Sequence, residues 1–236
     1  MEFYNRKLIE KYGAFAFEKQ LFFAGIVEKM DWNVDIKKGE ISFGDHLTFP
    51  MQILGTFSHS SETWLWAWAN KQSGIPEKFL EHADKLKKYG DANNIDFLKE
   101  DQFEIERDDM HYIGLIALGI TEANGYYLGN YGAGTMCLTI NTKENGNKFP
   151  NDHISIFTVF PQLISQFEVN HKEAFVHYLN TKQYVMETNE NEIIGTCGIR
   201  RRASESERRF PSGKDKVKAT FDNLDRLAKL ESILEQ

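Results

Sequence analysis

The pattern of apolar and polar positions divides the chain into two stretches where a helix gives way to strands, joined by a more helical middle. Between about Asn5 and Met30, Leu8, Tyr12, Phe15, Phe22 and Ile26 recur at helical spacing. Lys7, Glu10, Lys11, Glu18 and Lys19 fall largely on the other side, which predicts a long amphipathic helix. Alternation with period two follows. Trp32, Val34 and Ile36 predict one strand and Ile41 and Phe43 the next, while Leu47 and Phe49 open a third that continues through Ile53. Lys38-Gly39 and Gly44-Asp45 supply the turns, and Pro50 suits an edge or a bulge. Trp64-Leu65-Trp66-Ala67-Trp68 closes the set. A spacing of two sends all three indoles from one face of a strand, whereas a helix would spread them through about 200°.

In the middle, Pro76 opens a helix with a Phe79, Ala83, Leu86, Tyr89 stripe that Gly90 stops, and Asp91 to Arg107 reads as a mixed-charge linker. Asp108 or Asp109 caps a short apolar helix to about Glu122. Asn124-Gly125 then turns the chain into Tyr126 to Gly129, and Met136, Leu138 and Ile140 alternate as a strand. A helix follows around Val159 to Phe167, with Pro161 in its first turn. Asn170 caps another, with Glu173 completing a capping box. Tyr184 to Thr188, Ile193 to Ile199, Val217 to Phe221 and Leu227 to Ile233 predict strands, although the last fits a helical period as well. The expected fold class is therefore α+β, with helices on curved antiparallel sheets. Two similar halves, 1–125 and 126–236, would each wrap a sheet on a helix in the manner of cystatin-like or nuclear-transport-factor-2-like folds, or form one continuous domain.

Several stretches resemble a bacterial family of unknown function marked by a Trp-rich strand. They are Tyr12-Gly13-Ala14-Phe15-Ala16-Phe17-Glu18-Lys19-Gln20, Gln52-Ile53-Leu54-Gly55-Thr56-Phe57-Ser58 and Thr63-Trp64-Leu65-Trp66-Ala67-Trp68-Ala69-Asn70. Tyr126-Tyr127-Leu128-Gly129-Asn130-Tyr131-Gly132 matches more loosely. The likeness spans most of residues 10–180 and implies a free-standing bacterial cytosolic protein. It brings no activity with it.

Composition narrows the classes. Aromatics at 13% allow a rigid core, while the longest apolar run, Ile113 to Ile120 broken by Gly114 and Gly119, is far short of the roughly 20 residues of a membrane span. The opening Met1-Glu2-Phe3-Tyr4-Asn5-Arg6 has no signal-peptide layout, so a cytoplasmic location without a membrane partner is expected. Cys137 and Cys197 suggest neither a disulfide framework nor a zinc site. A net charge of −7 argues against a nucleic-acid partner. Arg200-Arg201-Arg202 and Arg208-Arg209 are the basic exception, readable as a solvated strand end and loop or as an anion site held by Arg201.

Candidate chemistry is sparse. One Trp buries about 150–250 Å², so Trp64, Trp66 and Trp68 together make a core face, a partner interface or a groove for stacking a flat ligand. Tyr127 and Tyr131 lie in a glycine-containing segment that fits neither the Rossmann nor the P-loop pattern and reads as a twisted strand. The histidines are scattered. Glu173 and His177 share a helix face, which can poise a base but is more often a surface pair, and Asp109 with His111 and Glu122 makes a poor metal site. No Gly-x-Ser-x-Gly occurs. No catalytic residue, cofactor or metal is assigned. The preferred reading is a non-catalytic interaction protein of the immunity or defence-associated type. Its alternatives are a small-molecule enzyme with His177 or His171 as base, aided by Tyr127 or Tyr131, or a ligand sensor in which Arg201 holds an anion. Whether the partner is a protein or a small ligand stays open.

Overall fold

The computed structural model describes residues 2–121, 123–142, 152–197 and 216–233, with side chains from Arg6 onward. Its architecture is α+β, with helices on curved antiparallel sheets. The chain divides into two compact units: residues 1–5 with 19–149, and residues 6–18 with 150–236. Helix α1, Glu2–Val27, contributes to both.

The first unit is built on seven strands. β1 (Trp32–Asp35), β2 (Glu40–Phe43), β3 (Leu47–Ser58), β4 (Thr63–Trp66) and β5 (Gln102–Glu104) follow one another in order. Gly39 turns β1 into β2 with φ +74°, a left-handed conformation that most side chains avoid. β7 (Gly134–Ile140) pairs with β3, and β6 (Gly125–Asn130) with β7. A register shift between Ile53 and Gly55 bulges β3 against β7, so Ile53 and Leu54 are both buried despite being neighbours. The core gathers Phe23 and Val27 of α1 with Ile41, Phe43, Phe49, Met51, Ile53, Leu138 and Ile140. Helix α4, Asp109–Thr121, is apolar on nearly every side and correspondingly buried.

Two expectations for the middle change. Gly90 lies inside helix α2, Glu81–Asn93, which ends at Asn94 with φ 52°. A Cβ at Gly90 would come within 2.6 Å of Leu98 Cβ, so this glycine permits close packing instead of stopping the helix. The charged stretch after it is no linker, since it folds as helix α3 (Asp96–Lys99) and then β5. Pro76 precedes a short 3-10 turn, Glu77–Phe79, ahead of α2.

The second unit packs α1 residues 6–18, helix α5 (Ser155–Gln166) and helix α6 (His171–Thr181) with a four-stranded meander. Its strands are β8 (Tyr184–Thr188), β9 (Glu192–Cys197), β10 (Lys216–Phe221) and β11 (Leu227–Ile233), all antiparallel. The helix-or-strand ambiguity at 227–233 resolves as strand. Asn170 caps α6 as its sequence suggests, accepting from the Glu173 backbone N–H at 2.9 Å. Helix α5 starts earlier than expected, which leaves Pro161 inside it and the Phe157 carbonyl without its usual intrahelical donor. Phe160, Phe175 and Phe221 form an aromatic chain with centroid separations of 4.9 and 6.1 Å. Glu18 reverses the sequence reading: assigned to the polar side of α1, it is almost fully buried.

Candidate functional site

Of the three indoles, Trp64 and Trp66 occupy β4 and Trp68 does not. Ala67 to Ala69 form a turn in which the Asn70 N–H reaches back to Trp66 O at 3.2 Å. Period two therefore governs two rings, which meet edge to face at 5.3 Å and are fully buried. Trp66 Nε1 donates to Phe97 O at 2.9 Å, whereas Trp64 Nε1 has no partner among the described residues. Trp68 packs with Ala67 against the Phe23–Ile41–Phe43 cluster, and Lys87 Nζ lies 3.6 Å from its ring centroid. None of this offers an open stacking face at Trp64 or Trp66.

The other expected residues are dispersed. Tyr127 is half-buried on β6, edge-on to Trp32 and Phe43, and burial raises its phenol pKa. Tyr131 is exposed just after β6, its N–H bonded to Gly134 O at 3.0 Å. His177 is half-buried on α6. Arg201 and Glu122 lie outside the described residues.

Most histidines in the first unit are tied to hydroxyls within the fold. His59 Nε2 is 2.9 Å from Thr135 Oγ1, His82 Nδ1 is 2.7 Å from Thr139 Oγ1, and His111 Nδ1 is 2.7 Å from Tyr126 Oη. Burial lowers the pKa of His82 to about 4 and also lowers that of His111. Among the described residues no three His, Cys, Asp or Glu side chains converge as a metal site.

In the second unit a buried polar cluster joins Glu18, Ser155, Tyr178 and Lys182. Lys182 Nζ lies 2.8 and 2.9 Å from the two Glu18 oxygens and donates to Ser155 Oγ at 3.1 Å. Tyr178 Oη donates to Glu18 Oε2 at 2.6 Å, and Ser155 Oγ donates to Glu18 Oε1. Burial lowers the Lys182 pKa against the pull of Glu18, and raises that of Tyr178 well above its ordinary range. A Ser–Lys–Tyr set can in principle make a nucleophile. Here the lysine is neutralised by a carboxylate that also holds both hydroxyls, so no free base faces Ser155.

The same unit carries an open cavity of about 320 Å³, where α1, the approach to α6 and the β10–β11 turn meet. Its floor is Ile164, Phe167 and Val169. Arg6, Glu168, Asn170, His171, Leu224, Asp225 and Arg226 surround it. His171 Nδ1 accepts the Leu227 N–H at 3.0 Å, so the neutral ring carries its proton on Nε2. Burial, with help from Arg226, lowers the His171 pKa and favours that neutral form. Asp225 accepts from Asn170 Nδ2 at 3.1 Å, and Arg6 Nε donates to Glu10 Oε1 at 3.1 Å. The Arg226 guanidinium makes no hydrogen bond or ion pair among the described residues. Among the described residues, no Ser, Thr, Cys, Lys or Tyr lines the cavity.

Sequence reasoning missed most of this site. His171 appeared only as a possible base, and Arg6, Arg226 and Asn170 come from positions far apart along the chain. The signal that existed was the turn-forming composition of Asn223-Leu224-Asp225 between two predicted strands, which marks a turn and carries no sign of a site wall.

A family model described as a family of unknown function, DUF6882, matches residues 6–143. No curated protein and no solved structure matches the chain. The matched span holds β4 with Trp64 and Trp66, and of the cavity only Arg6.

Proposed function

We propose, for a chain that belongs to the DUF6882 family of unknown function, a non-catalytic recognition role in which the second-unit cavity receives a small ligand or the end of a larger one. The observation that carries this reading is a cavity in which the Arg226 guanidinium is unpaired among the described residues, while Asp225 is engaged by Asn170 and the His171 Nδ1 by the Leu227 N–H. Arg226 and His171 border it, and none of its described lining residues carries a hydroxyl or an amine. The groups best suited to proton transfer are held elsewhere: His82 on Thr139, His111 on Tyr126, Glu18 on Lys182. A base role for His171 is disfavoured for the same reason, because its Nδ1 lone pair is taken by Leu227. A cytosolic setting goes with the reading, supported by Cys137 being a buried thiol in a chain with only two cysteines. Among the described residues, no helix is long and apolar enough to cross a membrane.

The test is a screen of a chemically diverse fragment library against the full chain by amide NMR. Hits should move resonances of residues 164–171 and 224–227, and every hit should be recovered chemically unchanged. Hits that cluster only elsewhere, or conversion of a bound fragment, would overturn the reading.

A further inference from the structure

The charges around the cavity are unequally engaged. Asp225 is held by Asn170 and lies 3.9 Å from Lys172 Nζ, and Arg6 is held by Glu10. Arg226 alone of these keeps its side-chain donors unspent, with only its backbone N–H used, on Asp222 Oδ1 at 2.9 Å. Next to it His171 is fixed as a donor by the Leu227 contact. A planar guanidinium and an N–H of fixed direction are suited to an oxyanion. Beside them Leu224, 64% exposed, and the floor around Phe167 supply apolar surface.

We infer that the cavity selects a ligand with a single carboxylate or phosphate head on an apolar body, the head received by Arg226 and His171 Nε2–H. This rests on the recognition role proposed above and adds the chemical class. Glu168, exposed at the rim 3.9 Å from Arg6, and the Asp222 carboxylate, close enough to act on Arg226 and His171, oppose any anion and oppose it more as its charge rises. A carboxylate head therefore meets less repulsion than a phosphate monoester, which carries about −1.5 to −2 at pH 7.

The experiment titrates four probes into the full chain, followed by amide NMR: hexanoate, hexanamide, monohexyl phosphate and inorganic phosphate. Hexanoate or monohexyl phosphate should shift residues 167–171 and 224–227, with hexanamide about 10-fold weaker or more, as expected for loss of a charge-assisted hydrogen bond. Arg226→Gln, an exposed position whose loss leaves the fold intact, should weaken the charged probes by about 10-fold or more and hexanamide little. Tighter binding of monohexyl phosphate than hexanoate, with competition by inorganic phosphate, identifies a phosphate head. The reverse order identifies a carboxylate. Hexanamide matching hexanoate at the cavity, or Arg226→Gln leaving hexanoate affinity unchanged, overturns the charge selection while the recognition role stands. If none of the four shifts those residues, the inference fails, and the fragment screen decides the recognition role separately.

Discussion

Lys182 Nζ is bracketed by both carboxylate oxygens of Glu18, at 2.8 and 2.9 Å, with the two side chains buried to 2% and 4% exposure. Removing either member strands the other charge away from water, which costs about 3–5 kcal/mol. Lys182→Met should therefore lower unfolding free energy by about that much in urea denaturation. Glu18→Gln combined with Lys182→Met should cost less than the sum of the single changes, because no charge is left alone. Additive losses would show that the pair is not coupled.

Acid should weaken the fold through histidines that are kept neutral. His82, at about 4 when folded, and His111 and His171, also lowered, have an ordinary unfolded value near 6.5. Below pH 6.5 the unfolded chain binds protons that the folded chain refuses, so stability falls with pH and keeps falling toward about pH 4. For His82, partly exposed, the loss is on the order of 1–3 kcal/mol. Melting temperature followed from pH 7 to 4.5 should drop, and the drop should be shallower in His82→Gln.

Gly55 faces Trp64. A Cβ there would lie 2.6 Å from the indole Cζ2 and 2.5 Å from the Leu65 carbonyl oxygen, and the backbone cannot yield as a flexible side chain would. Gly55→Ala should destabilise by about 1–3 kcal/mol or more. A thermal melt equal to that of the parent chain would mean that β3 and β4 part easily.

The two buried indoles should respond differently to loss of the ring nitrogen. Trp66→Phe leaves the Phe97 carbonyl without its 2.9 Å donor, while Trp64→Phe removes an N–H that has no acceptor among the described residues. Burying an unsatisfied group costs about 1–3 kcal/mol. Trp66→Phe should thus be the more damaging change by roughly that difference in chemical denaturation, both rings being of similar burial.

How far these features were legible depends on the distance over which they act. Element types follow from local periodicity, so β8, β10 and the Asn170 cap emerge from runs of fewer than ten residues. Trp68 fails because a turn, not the alternation before it, sets its direction. Glu18 fails for a different reason: its burial is stabilised by a lysine 164 positions away, and no helical pattern around it carries that information. The cavity has the same difficulty, since Arg6, His171 and Arg226 share no spacing that a motif could capture.

The composition of the second unit has a consequence for synthesis on the ribosome. Residues 6–18 leave the exit tunnel well before residues 150–236, yet Leu8, Ile9 and Phe17 belong with the α5, α6 and meander formed from them. Until then an apolar helical face and a carboxylate destined for the interior stand uncovered, a natural client for a chaperone. A ribosome stalled after residue 149 would hold a nascent chain whose first unit can close while residues 6–18 of α1 still wait for company.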